Sequence, residues 1–333
     1  MLYMVSDAVD EMLITARSMK KMYGPHLALD DVNLDIPHGA VGILGPNGAG
    51  KSTFFKCLLG LIKTTSGSGK VLGHDIRTEG ELIRSKIGYM PEYDSLDPGL
   101  TAIDQVRYSG ELLGMNPDAA TQRAHEVLQY VGLKDQRYRK IETFSTGMKQ
   151  AAKLACALIH DPEILICDEP TNGLDQRARE FMLQTLRKTV IEGGRSVLMS
   201  SHVMDDVETV CDSIVMIHKG KIVVHRSIDD MVKQVEKEIE ISVWGGASQM
   251  ESELSSRGLS VRRMGRNMRV TKVDEDTYTE ILSSAAKAGV QVRKMTEYEP
   301  DLEDIFLLIM DKLGEEVRET GELMTSDHTG EGL

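Results

Sequence analysis

The chain has 333 residues, 41% hydrophobic and 27% charged, which suffices for a sizeable core and about two domains. Its 39 Lys and Arg residues against 52 Asp and Glu residues give a net charge of -13, whereas a nucleic-acid binder usually carries a basic stripe. No stretch reaches the roughly 18 uncharged apolar residues of a membrane-spanning helix, and four cysteines without CxxC, disulfide or zinc spacing favour a reducing compartment.

From residue 13 to about residue 221, short apolar runs alternate with helical stretches. Near-continuous apolar runs are typical of strands buried on both faces of a mainly parallel sheet. The predicted strands are 27–36, 40–44, 87–90, 164–167, 197–200 and 214–218. Residues 101–140 show helical spacing without alternation, so we predict a helical insertion at about 93–150. Residues 1–230 are thus the predicted first domain.

After residue 224 the pattern changes to the order β-α-β-β-α-β. The predicted strands are 238–244, 259–264, 267–273 and 290–295, and the predicted helices are 247–257, 274–288 and 301–313. This order predicts a small α+β accessory domain at 231–313 of the split β-α-β, ferredoxin-like type. Residues 314–333 are rich in Glu, Gly, Thr and Ser and predict a disordered acidic tail.

The sequence GPNGAGKST follows an apolar run and opens an apolar helical stretch. Glycines let consecutive backbone N–H groups form an anion-binding concavity, and a helix N-terminus adds about half a positive charge. Lys51 can then reach the β- and γ-phosphates of a nucleotide, and the Ser52 hydroxyl can ligate Mg²⁺. The strand before and the helix after disfavour a plain glycine-rich turn. The predicted nucleotide-binding residues are Gly45, Pro46, Asn47, Gly48, Ala49, Gly50, Lys51, Ser52 and Thr53.

A second motif, EILICDE, ends a buried strand with Asp168 and Glu169. In open α/β sheets, ligands bind at the carboxyl ends of the strands. Asp168 is therefore a predicted Mg²⁺ ligand, and Glu169 is predicted to polarise the water that attacks the γ-phosphate. Alone, two acids after an apolar run would usually be a solvated strand end, but the phosphate loop earlier in the chain reverses that preference.

Five further features occur in a fixed order around these motifs. They are Tyr23, YMPEY (89–93), FSTGMKQ (144–150), TNGLD (171–175) and SSH (200–202). The set resembles the adenine-stacking aromatic, Q-loop, signature, D-loop and switch histidine of ATP-binding-cassette (ABC) proteins, over about residues 12–230. The resemblance implies an α/β P-loop NTPase with a RecA-like core and antiparallel β and helical subdomains.

The resemblance also implies roles for single residues toward ATP and Mg²⁺. Glu169 and His202 would be catalytic, and the metal would be held by Ser52, Glu92 and Asp168. Besides the phosphate loop, the implied cofactor-binding residues are Tyr23, Glu92, Ser145, Thr146, Gly147 and Asp175. Many family members have Gln where this chain has Glu92, and the signature reads Ser-Thr-Gly in place of Ser-Gly-Gly.

Each of the lesser residues has an ordinary structural alternative. Tyr23 could be a surface aromatic, His202 a strand-end histidine, and Asp175 a helix N-cap. The start of the helix at Ser145 offers free N–H groups, so it is a second anion site in a chain with one phosphate loop. In the ABC family two cassettes pair head to tail, so that the signature of one closes over the γ-phosphate of the other.

The segment EPDLEDIFL (299–307) resembles the closing motif of ATPase subunits paired with ABC-2-type exporters, and it also fits a packing helix. The resemblance implies an ATP-hydrolysing subunit, peripheral on the cytoplasmic face of the cell membrane, that drives a separate integral membrane permease. Contact with the permease is expected through the helical insertion and residues 93–96. The alternatives are a cassette ATPase acting on nucleic acid or ribosomes, which the acidic composition disfavours, and a regulatory cassette without turnover.

Overall fold

The computed structural model describes residues 12–234, 237–274 and 276–298, together with residues 302, 304 and 305. The chain divides into two compact units after Ile228, two residues before the predicted boundary. The first unit contains a six-stranded sheet, a four-stranded sheet and the helices of the predicted insertion. The second unit is a small sheet with two helices.

The first unit begins with β1 (Ile14–Tyr23), β2 (His26–Ile36), β3 (Ala40–Leu44), α1 (Lys51–Leu58), β4 (Ser66–Val71), β5 (His74–Asp75), α2 (Gly80–Lys86) and β6 (Ile87–Met90). Next come α3 (Ala102–Leu112), α4 (Pro117–Tyr130), short 3-10 helices at Lys134–Tyr138 and Ile141–Thr143, and α5 (Thr146–Leu158). It continues with β7 (Ile164–Asp168), α6 (Gln176–Ile191), β8 (Ser196–Ser201), α7 (Met204–Val210), β9 (Ser213–His218) and β10 (Lys221–Ser227). The helix α8 (Ile228–Gln234) starts at the division between the units.

The central sheet has the strand order β10-β9-β3-β8-β7-β6 and is parallel except for β10. Every residue of β3, β7 and β8 is buried, which explains the apolar runs 40–44, 164–167 and 197–199 within them. Because β8 lies between β3 and β7, the loops that follow these three strands leave the sheet at one edge. Leu44 pairs with Ser201, and Asp168 pairs with Ser200.

An antiparallel sheet of order β2-β1-β4-β5 packs on the central sheet through α1. Its strands β1, β4 and β5, and the edge strand β10 of the central sheet, were not among the predicted strands, so the prediction was incomplete there. The β1–β2 and β1–β4 registers shift near Ser18, whose φ of 44° breaks the alternation of β1. The strand β4 reads SGSGKV, in which Val71 is the only β-branched residue and no residue is aromatic, so the composition that marks a strand is nearly absent.

The residues of the predicted insertion form α3, α4 and α5, joined by the two 3-10 helices. Each of the three α-helices begins at a residue whose side chain accepts a hydrogen bond from a backbone N–H of the first turn, namely Thr101, Asn116 and Ser145. The helix α5 packs against β6 as well as against α3 and α4, so it links the insertion to the central sheet.

The second unit runs through β11 (Glu238–Trp244), α9 (Ala247–Ser256), β12 (Val261–Met264), β13 (Asn267–Thr271), α10 (Thr277–Ala288) and β14 (Gln291–Tyr298). The sheet order β12-β13-β11-β14 with antiparallel neighbours is the split β-α-β arrangement. Alternate residues of β11 pack with Met250 and Leu254 of α9 and with Ile281 of α10. The predicted last helix (301–313), the 299–307 motif and the predicted tail (314–333) lie outside the described residues, apart from residues 302, 304 and 305.

Candidate functional site

The phosphate loop connects β3 to α1 and depends on glycine at two close approaches. Gly45 has a φ of 156°, and a Cβ there would lie 2.2 Å from the Ile217 carbonyl oxygen. Gly50, at the N-cap of α1, has a φ of 114°, and its Cβ would lie 2.6 Å from the Ala28 carbonyl oxygen. A side chain at either position would therefore push the loop away from the neighbouring strands.

Lys51 is the first residue of α1 and is almost entirely buried. Its Nζ donates a hydrogen bond to the Gly45 carbonyl at 2.7 Å and lies 3.4 Å from Glu169 Oε1. The other carboxylate oxygen of Glu169 lies 2.8 Å from Nδ1 of His202. The structure thus brings the predicted lysine, general base and switch histidine into one contiguous set.

The strand β8 fixes the two acids at the end of β7, Asp168 within the strand and Glu169 directly after it. The Ser200 hydroxyl donates to Asp168 Oδ1 at 2.6 Å and accepts from the Glu169 N–H at 3.0 Å. Glu169 has a φ of 51°, a conformation that costs about 1 kcal/mol or more for a residue other than glycine. Ser200 was not among the predicted site residues, since its role depends on the pairing of β7 with β8.

A cavity of about 330 Å³ lies over the phosphate loop. It is lined by Tyr23, His26, Ala28, Glu92, Asp168, Glu169 and residues 46–53. Tyr23 is 45% exposed, and Lys21 Nζ lies 4.9 Å from its ring centroid. Tyr23, Glu92 and the predicted phosphate-loop residues 46–53 therefore share one cavity, and Gly45 is joined to it by the hydrogen bond from Lys51. His26 and Ala28 were not predicted, because β2 carries no motif of its own.

Glu92 enters this cavity from the loop after β6, where a buried lysine of α5 holds the backbone. Lys153 Nζ donates to the carbonyl oxygens of Pro91, Glu92 and Tyr93 at 2.7, 3.0 and 3.3 Å. Burial lowers the pKa of Lys153. Asn172 Nδ2 donates to Glu92 Oε1 at 3.4 Å. Neither Lys153 nor Asn172 was predicted, since their partners lie about 60 and 80 residues away in the sequence.

The signature residues do not join this cavity. Ser145 and Gly147 line a separate groove of about 750 Å³ together with Asp175, while Thr146 begins α5 between the two. Asp175 is the N-cap of α6, accepting from the Ala178 N–H at 2.9 Å, as its ordinary structural alternative predicted. The predicted site residues thus form two groups on one chain.

The oxygen donors around the phosphate loop fit a hard cation. Ser52, Glu92 and Asp168 line the same cavity, and carboxylate and hydroxyl oxygens are the donors that Mg²⁺ prefers. Among the described residues, no group of three or more His, Cys, Asp or Glu side chains is arranged to hold a metal by itself. Such a set fits a cation that completes its coordination with phosphate oxygens and water.

The ABC transporter family model matches residues 29–172. The linearmycin resistance ATP-binding protein LnrL of Bacillus subtilis is 34% identical over 312 residues, covering 89% of this chain and 97% of that protein. The chain belongs to the ABC transporter family. It is an ATP-binding subunit that hydrolyses ATP and powers a separate permease, so the predicted family, fold class and enzyme activity are confirmed.

Two other relatives and one solved structure extend the comparison. The daunorubicin/doxorubicin resistance ATP-binding protein DrrA of Streptomyces peucetius is 29% identical, over 89% of this chain and 92% of its own length. The Nod factor export ATP-binding protein I of Sinorhizobium fredii is 31% identical, over 91% and 87%. A dimeric structure of a post-hydrolysis ATP-binding cassette with ADP and phosphate is 27% identical, with a TM-score of 0.60, over 64% of this chain and 98% of that one.

None of the helices in the described residues combines the length and the apolar character that a bilayer crossing requires. The roles of the single site residues toward ATP stay predictions.

Proposed function

We propose that this ATPase drives export through a separately encoded integral membrane permease, while bound at the cytoplasmic face of the membrane. The observation that carries the catalytic part is the contact of Glu169 with both Lys51 and His202 beside the phosphate loop. The export direction is supported by the relatives, which include resistance and export ATP-binding proteins. The 299–307 segment, which resembles the closing motif of ABC-2-type ATPases, favours that subclass.

In the proposed mechanism, the N–H groups of residues 45–53 and the Lys51 ammonium bind the phosphates of ATP. Tyr23 stacks on the adenine at the mouth of the cavity. Ser52, Asp168 and Glu92 would hold Mg²⁺, which would supply positive charge to neutralise the phosphates. Glu169 accepts a proton from the attacking water.

His202 orients the Glu169 carboxylate through the 2.8 Å contact. Because one carboxylate oxygen faces Lys51 and the other faces His202, the carboxylate plane is fixed before water binds.

A second cassette, identical or not, completes the site in this proposal. The groove of Ser145, Gly147 and Asp175 would receive the ATP held by the partner's phosphate loop, because the start of α5 presents N–H groups to an anion. The dimeric solved cassette supports this pairing for its own chain. The proposal includes no nucleic-acid partner.

The permease contact is proposed on the insertion and on the loop after Glu92. Four large side chains there are at least half exposed, namely Tyr93 (62%), Tyr108 (50%), Leu112 (68%) and Tyr138 (60%). Exposed apolar side chains that gather on one segment are typical of protein contact surfaces.

Calorimetry with Mg-ATP on the full chain tests the nucleotide site. We expect saturable binding in the parent chain and weaker binding by at least about tenfold in Lys51→Ala, because the charge-assisted contacts to phosphate are lost. Lys56→Ala, on the same helix but outside the cavity, is the control and should bind like the parent. Absence of binding by the parent at millimolar Mg-ATP would refute the assignment.

The permease partner is tested separately, by purifying the chain from solubilised membranes that contain the permease encoded beside it. Co-purification with that integral protein is expected. A permease that does not co-purify, with the chain still active as an ATPase, would contradict the transport proposal alone.

A further inference from the structure

Lys153 lies in the middle of α5 with only 5% of the residue exposed. Its ammonium has three N–H donors, and the structure offers carbonyl acceptors on three consecutive residues, 91–93. An ammonium that is buried without partners is costly, so these three contacts fix the side chain and the loop relative to one another. The 91–93 backbone is thus attached to α5 rather than only to β6.

The same loop carries Glu92, and the Glu92 side chain is also linked to α5, through Asn172. Asn172 donates to the Glu92 carboxylate, and the Asn172 carbonyl accepts from Gln150 Nε2 at 3.3 Å. Gln150 is buried and lies one turn before Lys153 on α5. Hydrogen bonds therefore connect both the backbone and the side chain of Glu92 to α5, the helix that begins after Ser145.

A second lysine of α5, Lys149, contacts the same loop, but its side chain is partly exposed to solvent. Lys149 Nζ lies 2.9 Å from Asp94 Oδ2, but the two side chains are 33% and 55% exposed. Exposed ion pairs contribute little, because water and salt compete for both charges. Lys149 is therefore the matched comparison for Lys153, on the same helix and facing the same loop.

We propose that Lys153 is a positioning residue that, by holding the carbonyls of residues 91–93, sets where the Glu92 carboxylate lies in the nucleotide cavity. It also ties that carboxylate to the helix that begins with the signature serine. Lys153 touches neither nucleotide nor metal in this role. The inference rests on the proposed function of Glu92 as a ligand in the ATP site.

The test is steady-state phosphate release by the purified full chain over a range of Mg-ATP concentrations. The variants are Lys153→Met, Lys153→Gln, Lys149→Met, Glu92→Ala and the double variant Lys153→Met/Glu92→Ala, each checked for a cooperative thermal transition. We expect Lys153→Met to lower kcat about 10- to 100-fold, as loss of supporting contacts around a site typically does. KM for ATP should change less than about threefold, because residues 46–53 keep their contacts.

Lys149→Met should keep kcat within about twofold of the parent. The double variant should be no slower than Glu92→Ala alone, since Lys153 acts through Glu92. Lys153→Gln keeps N–H donors without the charge, so its kcat should fall less than that of Lys153→Met. If Lys153→Met does not fold, Lys153→Gln takes its place in the comparison.

The inference would be overturned if the Lys153 variants had the kcat of the parent. It would also be overturned if the fall in kcat of the double variant were the product of the falls in the two single variants. If Glu92→Ala itself has parent-like kcat, the proposed role of Glu92 is wrong and the inference goes with it. A slow Glu92→Ala with a parent-like Lys153→Met refutes the positioning role alone.

Discussion

Glu169→Gln should separate ATP binding from hydrolysis. The parent carboxylate is 7% exposed, with one oxygen 3.4 Å from Lys51 Nζ and the other 2.8 Å from His202 Nδ1. A glutamine has the same shape but cannot accept a proton from water. Positioned general bases contribute about 10²- to 10⁴-fold, so kcat should fall by that factor, or about 3–5 kcal/mol of transition-state stabilisation.

Binding of ATP should survive the same change. At an effective dielectric constant of about 20, the Lys51–Glu169 attraction is on the order of 4–5 kcal/mol, and the incoming phosphates compete with Glu169 for that ammonium. Removing the carboxylate charge leaves Lys51 to the phosphates and removes a repulsion beside them. Affinity for Mg-ATP should therefore be equal or higher, and a dimer that hydrolysis would otherwise open should accumulate.

The assays are phosphate release at saturating Mg-ATP and light scattering after size-exclusion chromatography with and without Mg-ATP. Glu163→Gln is the matched control, because Glu163 lies just before the opposite end of the same strand and its side chain is 55% exposed. It should hydrolyse like the parent. Hydrolysis by Glu169→Gln within about tenfold of the parent would refute the assignment of the general base.

Two further predictions concern stability. Asp206→Ala should lower the free energy of unfolding by about 2–3 kcal/mol, because the fully buried carboxylate accepts hydrogen bonds from Thr171 and Arg179. The control is Asp205→Ala, because the Asp205 side chain is 81% exposed and lies 3.9 Å from Arg179. This change should alter the free energy of unfolding by less than about 0.5 kcal/mol. Equal decreases in the free energy of unfolding of the two variants, measured by urea titration, would contradict the prediction. Burial lowers the pKa of His160, so below about pH 6.5 the unfolded chain binds a proton that the folded chain does not, and stability should fall as pH falls. His160→Gln should reduce that fall, and an unchanged pH dependence would show that another group causes it.

The phosphate loop could be predicted because its chemistry is local. Nine consecutive residues contain the glycines, the lysine and the helix start, and the strand before them is a short apolar run. The acids at the end of β7 were predicted for the same reason. Their surroundings were not, since Ser200 reaches Asp168 only through the pairing of β7 with β8. Contacts across a sheet depend on strand order, which periodicity in one segment does not reveal.

The antiparallel sheet was predicted as a subdomain through the resemblance, but its strands β1 and β4 were not found individually. A bulge at Ser18 and the glycine-serine composition of β4 remove the period-two signal on which strand prediction relies. Lys153 was missed for a different reason. A lysine in an amphipathic helix normally predicts a solvated position, and only the fold shows that this one is buried against three carbonyls.

The division of the predicted residues into two cavities sets a condition on the proposed cycle. If ATP held by one chain is contacted by the Ser145 helix of another, then ATP favours the pair, and the pair must raise the affinity for ATP by the same factor. Hydrolysis lowers that mutual affinity by removing the shared phosphate. Since Lys153 ties the Ser145 helix to Glu92, a shift of the signature against its own phosphate loop would displace a proposed metal ligand of the first site. In the proposed cycle, the Lys153 contacts would thus couple closure at one nucleotide site to the position of a metal ligand at the other.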